Sequence, residues 1–398
     1  MERFISEFGL NMCANGSVLL QDEHLGDLER ILGPNAPTFH IYIIGSRPRI
    51  AVVPEAFVFL PDHFKAVFRV QTQDQHDDYA YEGPYPKRGR FNRIESEWPH
   101  TTFRLLNGET QVLIGKSALL AAMVPELRDR LDLEVLYVGQ SFGESGEREA
   151  PGRLQSHSTL QKILGEASRR APDREVWLAL FHFEEMLLAS FDGRLAKQPG
   201  ALEADEGRIE RVLASEVSEQ QRINFTEAAL IRFFDPRYNK VFRTSFPDPS
   251  HKTYRECYDL DLNMVSVELD TEDLHLRVYS AVQPRRWRHF IMFPLNDPTE
   301  RKYMLDLLQP DPPGAAGSSV AVVQMMDIHK YENDHVVVIL KDDKGQLLRQ
   351  RRIRKAREAA GHPWVGTQEN ERAEKFTERV FDTQKDALDW AKELACFD

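Results

Sequence analysis

Short alternating and β-branched runs dominate the first third of the chain. His40-Ile-Tyr-Ile-Ile44 and Ile50-Ala-Val-Val53 read as strands, with Gly45-Ser-Arg-Pro48 as a turn between them. Residues 64–72, 101–106 and 110–114 read as further strands, the last two joined by a hairpin turn at Asn107-Gly108. Residues 74–97 are polar and rich in Pro and Gly, which predicts a long loop, and residues 117–131 carry helical spacing. The pattern then changes. Glu134-Val-Leu-Tyr-Val138 is a strand running into Gly139, which permits a sharp turn. A polar, glycine-rich loop over 140–149 leads to Pro151, well suited to the first turn of a helix over about 152–169. A strand over 176–183, a helix over 206–219 and a helix over 225–234 follow, the last stopped by Asp235-Pro236. Strand character returns over 259–269, 274–281 and 289–293, and residues 310–319 have plain linker composition. Beyond the linker, strands over 321–328 and 335–340 and a helix over 382–395 predict a small α+β unit.

This order predicts a multidomain α+β chain. A β-rich region over 1–130 precedes a mixed module over 131–250. A β-rich segment over 251–309 is expected to pack on the first region, and the linker 310–319 leads to the domain over 320–398. A length of 398 residues suits two to three domains. The net charge of −12 excludes general electrostatic binding of nucleic acid, so any such contact needs a local basic surface. The three cysteines, Cys13, Cys257 and Cys396, are scattered and outside any CxxC, which argues against a disulfide framework or structural zinc. The longest near-apolar stretch, 176–191, is broken by His182, Glu184 and Glu185, so no membrane span is expected. With no signal-peptide pattern at the start, the expected location is cytoplasmic.

Chemistry-bearing residues cluster in the mixed module. Arg153 and His157 are four apart, one turn from each other on a helix. Leu230, Ile231 and Phe234 follow Glu227 at helical spacing, which puts a carboxylate on an inward face. A carboxylate there must be paired, hydrogen-bonded or bound to metal. Pro236-Arg-Tyr-Asn239 leaves an amide in the exit loop. Singly, each has an ordinary reading: a packed strand tyrosine at Tyr137, a solvated helix face, a turn asparagine, a helix-start carboxylate.

Together, Leu136-Tyr-Val-Gly139, Gly152-Arg-Leu-Gln-Ser-His157 and Thr226-Glu-Ala-Ala-Leu-Ile-Arg-Phe-Phe-Asp-Pro-Arg-Tyr-Asn239 resemble the core of the GIY-YIG nucleases over about a quarter of the chain. The resemblance implies Tyr137, Arg153, His157, Glu227 and Asn239 as site residues. It implies phosphodiester hydrolysis with one Mg²⁺ or Mn²⁺ held by Glu227. Arg153 would stabilise phosphate charge and Tyr137 would orient or deprotonate the attacking water. His157 would serve as base or phosphate contact, and Asn239 would position backbone or substrate. The loop 142–150 reads as an insertion. The family also has an earlier strand, Gly-Ile-Tyr, about ten residues before the second. The matching window, 123–130, holds no tyrosine, so that strand is sought at Val112-Leu-Ile-Gly-Lys116, with Lys116 in the tyrosine's place.

Local basic patches offer nucleic-acid contacts. One is Arg285, Arg286, Trp287 and Arg288, cations beside an indole. Another is 349–357, six cations in nine residues, including Arg351, Arg352, Arg354 and Lys355. The expected function is a metal-dependent endonuclease acting on DNA or RNA, DNA first, with flanking domains giving partner contacts. The alternative is a catalytically inactive nuclease-like scaffold that binds nucleic acid or a protein.

Overall fold

Strand-forming segments from four distant parts of the chain meet in one sheet. The computed structural model describes residues 6–33, 36–85, 89–141, 158–191, 207, 208, 210–212, 214, 217–248, 255–295, 325–331, 335–341, 347–355, 364–369, 375–381 and 387. Along the chain come β1 (Ser6–Leu20), α1 (Leu28–Leu32), β2 (Ile41–Pro48), β3 (Ile50–Val52), β4 (Val58–Phe59), β5 (His63–Thr72) and β6 (Gln75–Pro84). Next are β7 (Arg93–Glu95), β8 (Thr102–Asn107), β9 (Thr110–Lys116), α2 (Ser117–Leu120), β10 (Leu133–Gln140), α3 (Ser158–Arg170) and β11 (Arg174–Phe191). Then follow α4 (Glu219–Phe234), α5 (Arg255–Asp259), β12 (Met264–Asp270), β13 (Val278–Tyr279) and β14 (Arg288–Pro294). The last strands are β15 (Met325–Tyr331), β16 (His335–Lys341), β17 (Leu347–Lys355), β18 (Trp364–Glu369) and β19 (Lys375–Phe381).

The main sheet has the order β13-β10-β2-β11-β1-β12-β14. The β10/β2, β2/β11, β11/β1 and β12/β14 pairs are antiparallel, and β10/β13 and β1/β12 are parallel. Apolar side chains leave β2 on both faces, as in a strand covered on both sides. Ile41 and Ile43 enter one core with Phe181 and Leu230 of α4. Tyr42 and Ile44 enter a second core with Leu160 and Ile163 of α3. The two edges of the sheet approach one another. Arg286 and Val278 exchange backbone hydrogen bonds of 3.1 and 3.3 Å, and His289 Nε2 lies 2.9 Å from Val278 O. The sheet therefore curls around α4, which touches β2 and β10 on one side and β12 and β14 on the other. Asp235, in the left-handed conformation at φ 48°, ends α4, and Pro236 prevents its continuation.

Between β2 and β10 the chain makes two small sheets: β3-β5-β4 with β6 against β5, and β7-β8-β9. An aromatic cluster of Phe64, Tyr85 and Phe91 fills the first, with ring centroids 4.9–5.8 Å apart. The C-terminal part holds a second antiparallel sheet, the meander β15-β16-β17-β18-β19, whose first strand lies against β11.

Several expectations change. The sheet is not confined to 131–250, because β1 and β2 hold its middle. The Gly45-Ser-Arg-Pro48 turn is strand: β2 runs through it to Pro48. A Cβ on Gly45 would lie 2.5 Å from Leu133 Cγ and 2.8 Å from Glu134 O, so that glycine serves close strand packing. The loop expected over 74–97 contains β6 and β7. β6 is an exposed edge strand that needs only Tyr79 and Tyr81 to face the core, so its apolar signal is sparse. The helix expected over 117–131 stops at Leu120 and continues as 3-10 turns, because Pro125 lacks a donor and pushes Val124 to extended geometry, φ −92°, ψ 109°. The helix expected over 225–234 starts earlier, at Glu219. The linker 310–319, the helix over 382–395 apart from Ala387, and the start of the helix predicted from 152 lie outside the described residues.

Candidate functional site

The site is built where β10 ends. A register shift between Val135 and Tyr137 turns both Leu136 and Tyr137 to the α3 side of the sheet. On the neighbouring strand Tyr42 stands opposite Gly139, fully buried. The rings of Tyr42 and Tyr137 stack with centroids 6.2 Å apart and planes 30° apart. Both rings lie over Gly139. A Cβ there would fall 2.5 Å from Tyr42 Cζ and Oη and 2.7 Å from Tyr137 Cε1. Gly139 is therefore required for space within a continuing strand, not for the turn that the sequence suggested.

The strand paired with Tyr137-Val-Gly139 is thus β2, not residues 112–116. The latter belong to β9, in a different sheet. Lys116 is largely covered and ion-paired with Glu23, so it is not a free cation at this site. Tyr42 was missed because it lies far upstream of Tyr137, with two small sheets between them. Its signal was present: Ile41-Tyr42 falls inside a strand already legible from the pattern.

The loop after α4 is tied to β10. Asn239, buried, donates through Nδ2 to Val138 O at 2.8 Å and accepts from Val138 N at 2.9 Å. Tyr238 N donates to Leu136 O at 3.2 Å, and Tyr238 Oη donates to Glu166 Oε2 of α3 at 2.7 Å. That bond holds the Glu166 carboxyl below its usual range. Asn239 is therefore a backbone clamp on the tyrosine strand.

Glu227 is half-buried on α4 among the buried side chains Ile223, Leu230 and Ile231. Asn224, one turn earlier on the same face, accepts a hydrogen bond from Gln140 Nε2 at 3.2 Å. That turn of α4 therefore lies beside the end of β10. Gln140 Oε1 is buried with no hydrogen-bond partner among the described residues. His40 closes the same end, with Nδ1 2.9 Å from Ser141 O and Nε2 3.4 Å from Glu219 Oε1. Arg153 and His157 lie outside the described residues, in the stretch that enters α3 at Ser158. Among the described residues no three His, Cys, Asp or Glu side chains gather into a metal cluster. Burial pushes the Cys13 and Cys257 thiols up to about 12, which removes them as nucleophiles.

The basic patches differ. Arg285 sits 3.2 Å from Asp132 Oδ2 and 4.1 Å over the Tyr279 ring. Arg288 pairs with Asp270 and, at 3.6 Å, with Glu272. Two of the three arginines in this run therefore engage the protein's own side chains, while Arg286 is exposed and Trp287 is 36 % exposed. Arg351, Arg352, Arg354 and Lys355 lie on β17. Among the described residues no helix is long and apolar enough to cross a membrane. Compared with protein-family models, curated proteins and solved structures, the chain matches none of them.

Proposed function

We propose that the chain is a metal-dependent endonuclease of the GIY-YIG kind, hydrolysing phosphodiester bonds of nucleic acid, DNA first. One observation carries the reading: Tyr42, on an Ile-Tyr strand, stacks beside Tyr137 over Gly139. In this reading Tyr42 supplies the first tyrosine of the resemblance. The inactive-scaffold alternative rested on the lack of such a tyrosine.

The donor set suits a hard divalent ion. The Glu227 carboxylate and the amide oxygens of Gln140 and Asn224 lie on elements that meet at the end of β10, and Gln140 Oε1 has no hydrogen-bond partner among the described residues. Mg²⁺ takes one or two carboxylates and leaves its other positions to water and phosphate oxygens. Glu227 would hold Mg²⁺ or Mn²⁺, and the bound ion would polarise the scissile phosphate and support the leaving oxygen. The stacked pair of Tyr42 and Tyr137 would hold the attacking water through a phenol. Arg153 would stabilise charge on the phosphate through its planar fork, and His157 would exchange a proton nearby. Asn239, through its clamp on Val138, fixes the strand that carries Tyr137.

Plasmid cleavage with Mg²⁺ or Mn²⁺ tests this. Removing one group that stabilises the transition state costs roughly 10²–10³ in rate, and that loss is expected for Glu227→Ala and Arg153→Ala. Tyr42→Phe and Tyr137→Phe keep the ring stack and are expected to lose activity without losing stability. Equal rates in wild type and all four variants would overturn the mechanism.

A further inference from the structure

Among the described residues, the most exposed large apolar side chain stands over a cavity away from the tyrosine pair. Trp98 is 84 % exposed and sits on the rim of a cavity of about 400 Å³. The cavity is walled by the stretch 49–55, by β5 and by the turn into β6. It falls within the range of small-molecule sites. The turn that presents Trp98 is pinned: His100 O accepts from Val52 N at 3.0 Å and from Ser117 Oγ at 2.6 Å, and His100 N donates to Glu97 O at 2.7 Å. The backbone that carries the indole is fixed, so binding need order only the side chain itself.

The walls select the ligand's chemistry. Arg69 contributes no free cation, because Asp78 takes its guanidinium bidentately at 2.7 and 2.8 Å. Glu55 and Asp74 share the lining with Arg49, so the cavity carries no net positive charge. A phosphate is therefore a poor anchor. Gln71, whose Nε2 donates to Gln73 O at 3.1 Å, keeps its amide oxygen as an acceptor, and Gln75 and His76 add donors and acceptors suited to a neutral planar heterocycle. A π face and hydrogen-bonding edges around one opening are what a base requires.

We propose that this cavity is a nucleobase pocket, in which Trp98 stacks on the base and Gln71, Gln75 and His76 read its edge. It is distinct from the tyrosine pair. Arg49 follows the end of β2 opposite Tyr42, seven residues or roughly 23 Å away at strand rise. The pocket stands whether or not the chain cleaves nucleic acid, because its readout is binding.

Calorimetric titration of the full chain with the nucleoside 5′-monophosphates, and with ribose 5-phosphate, tests it. At least one nucleotide is expected to bind and ribose 5-phosphate is not. Trp98→Ala is expected to weaken binding by roughly tenfold or more, and Trp98→Phe to restore most of it. At so exposed a position neither substitution removes core packing. No binding by any nucleotide, or equal affinity in wild type and Trp98→Ala, would overturn the pocket. Ribose 5-phosphate binding as well as the nucleotides would make the ligand a phosphate and overturn it equally.

Discussion

At Gly139 a single missing Cβ lets two tyrosines share one strand end. The rings of Tyr42 and Tyr137 occupy the space a methyl group would need, with the nearest approaches at 2.5 and 2.7 Å. Contacts this short force the rings or the strand to move. Gly139→Ala is expected to destabilise the protein by about 1–3 kcal/mol, the usual range for overpacking, and to displace both phenols. Urea denaturation checks the first effect. A double-mutant cycle identifies its source. A Tyr42→Leu background removes the closer of the two clashes and leaves that with Tyr137, so Gly139→Ala there is expected to cost about 1 kcal/mol less. The same cost in both backgrounds would mean that the Tyr42 ring is not what excludes a side chain. Asn239 belongs to this scale too, since two hydrogen bonds from one side chain satisfy both backbone groups of Val138 inside a buried joint.

Between neighbouring elements, the β2/β11 pairing buries a cation. Arg47 of β2 is 2 % exposed, its Cζ lies 3.8 Å over the Trp177 ring, and its Nε and Nη2 have no hydrogen-bond partner among the described residues. Trp177 Nε1 donates in turn to Glu175 Oε2 at 3.2 Å. Burial pulls the Arg47 guanidinium down to about 10 and pushes the Glu175 carboxyl up, against the attraction of Arg47. For Glu175 the folded-state value is raised above the unfolded one. Its contribution is fully present below the ordinary carboxylate range and is lost as pH rises through the raised value. The attraction between the two groups works against both shifts, so each partly offsets the other's burial. Glu175→Gln removes that attraction and is expected to destabilise by about 1–3 kcal/mol, a Coulomb energy across more than about 4 Å at intermediate dielectric, while Arg47→Met is expected to be neutral or stabilising. Denaturation at pH 7 checks the order of the two variants, and the reverse order would show that the pair is not coupled. The same two strands show what was legible in the sequence. His40–Ile44 was readable as a strand because its alternation is local. That it pairs with Tyr137's strand was not, because the partner lies some ninety residues on and two sheets intervene. Gly45 misled for the same reason: a glycine that makes room for Leu133 looks, in isolation, like a turn. Glu227's inward phase was readable from one helix, whereas the Gln140–Asn224 bond beside it needed the packing of α4 on β10.

The whole molecule sets the smallest piece that can carry the proposed site. Residues 131–250 hold Tyr137, Arg153, His157, Glu227 and Asn239, yet β10 and β11 are not neighbours, because β2 lies between them. On the far side of β11 stands β1, which pairs in parallel with β12 from Gly9↔Met264 to Cys13↔Glu268. Cutting the chain to 131–250 would strip Ile41, Tyr42, Ile43 and Ile44 from the middle of the sheet, with Phe8, Leu10, Val265 and Val267 from its other half, all of them buried. At about 1.5–3 kcal/mol per large apolar side chain, the lost burial is of the order of 10 kcal/mol or more, comparable with the entire stability of a domain. Residues 131–250 alone are therefore expected to show no cooperative thermal transition and to associate through the exposed edges of β10 and β11. A chain of residues 1–310 keeps all seven strands and α4 at the centre of the curled sheet, and is expected to melt cooperatively. Circular dichroism melts with size-exclusion chromatography on both pieces check this. A cooperative, monomeric 131–250 would mean that the tyrosine strand can find another partner and that Tyr42 is not what completes the site.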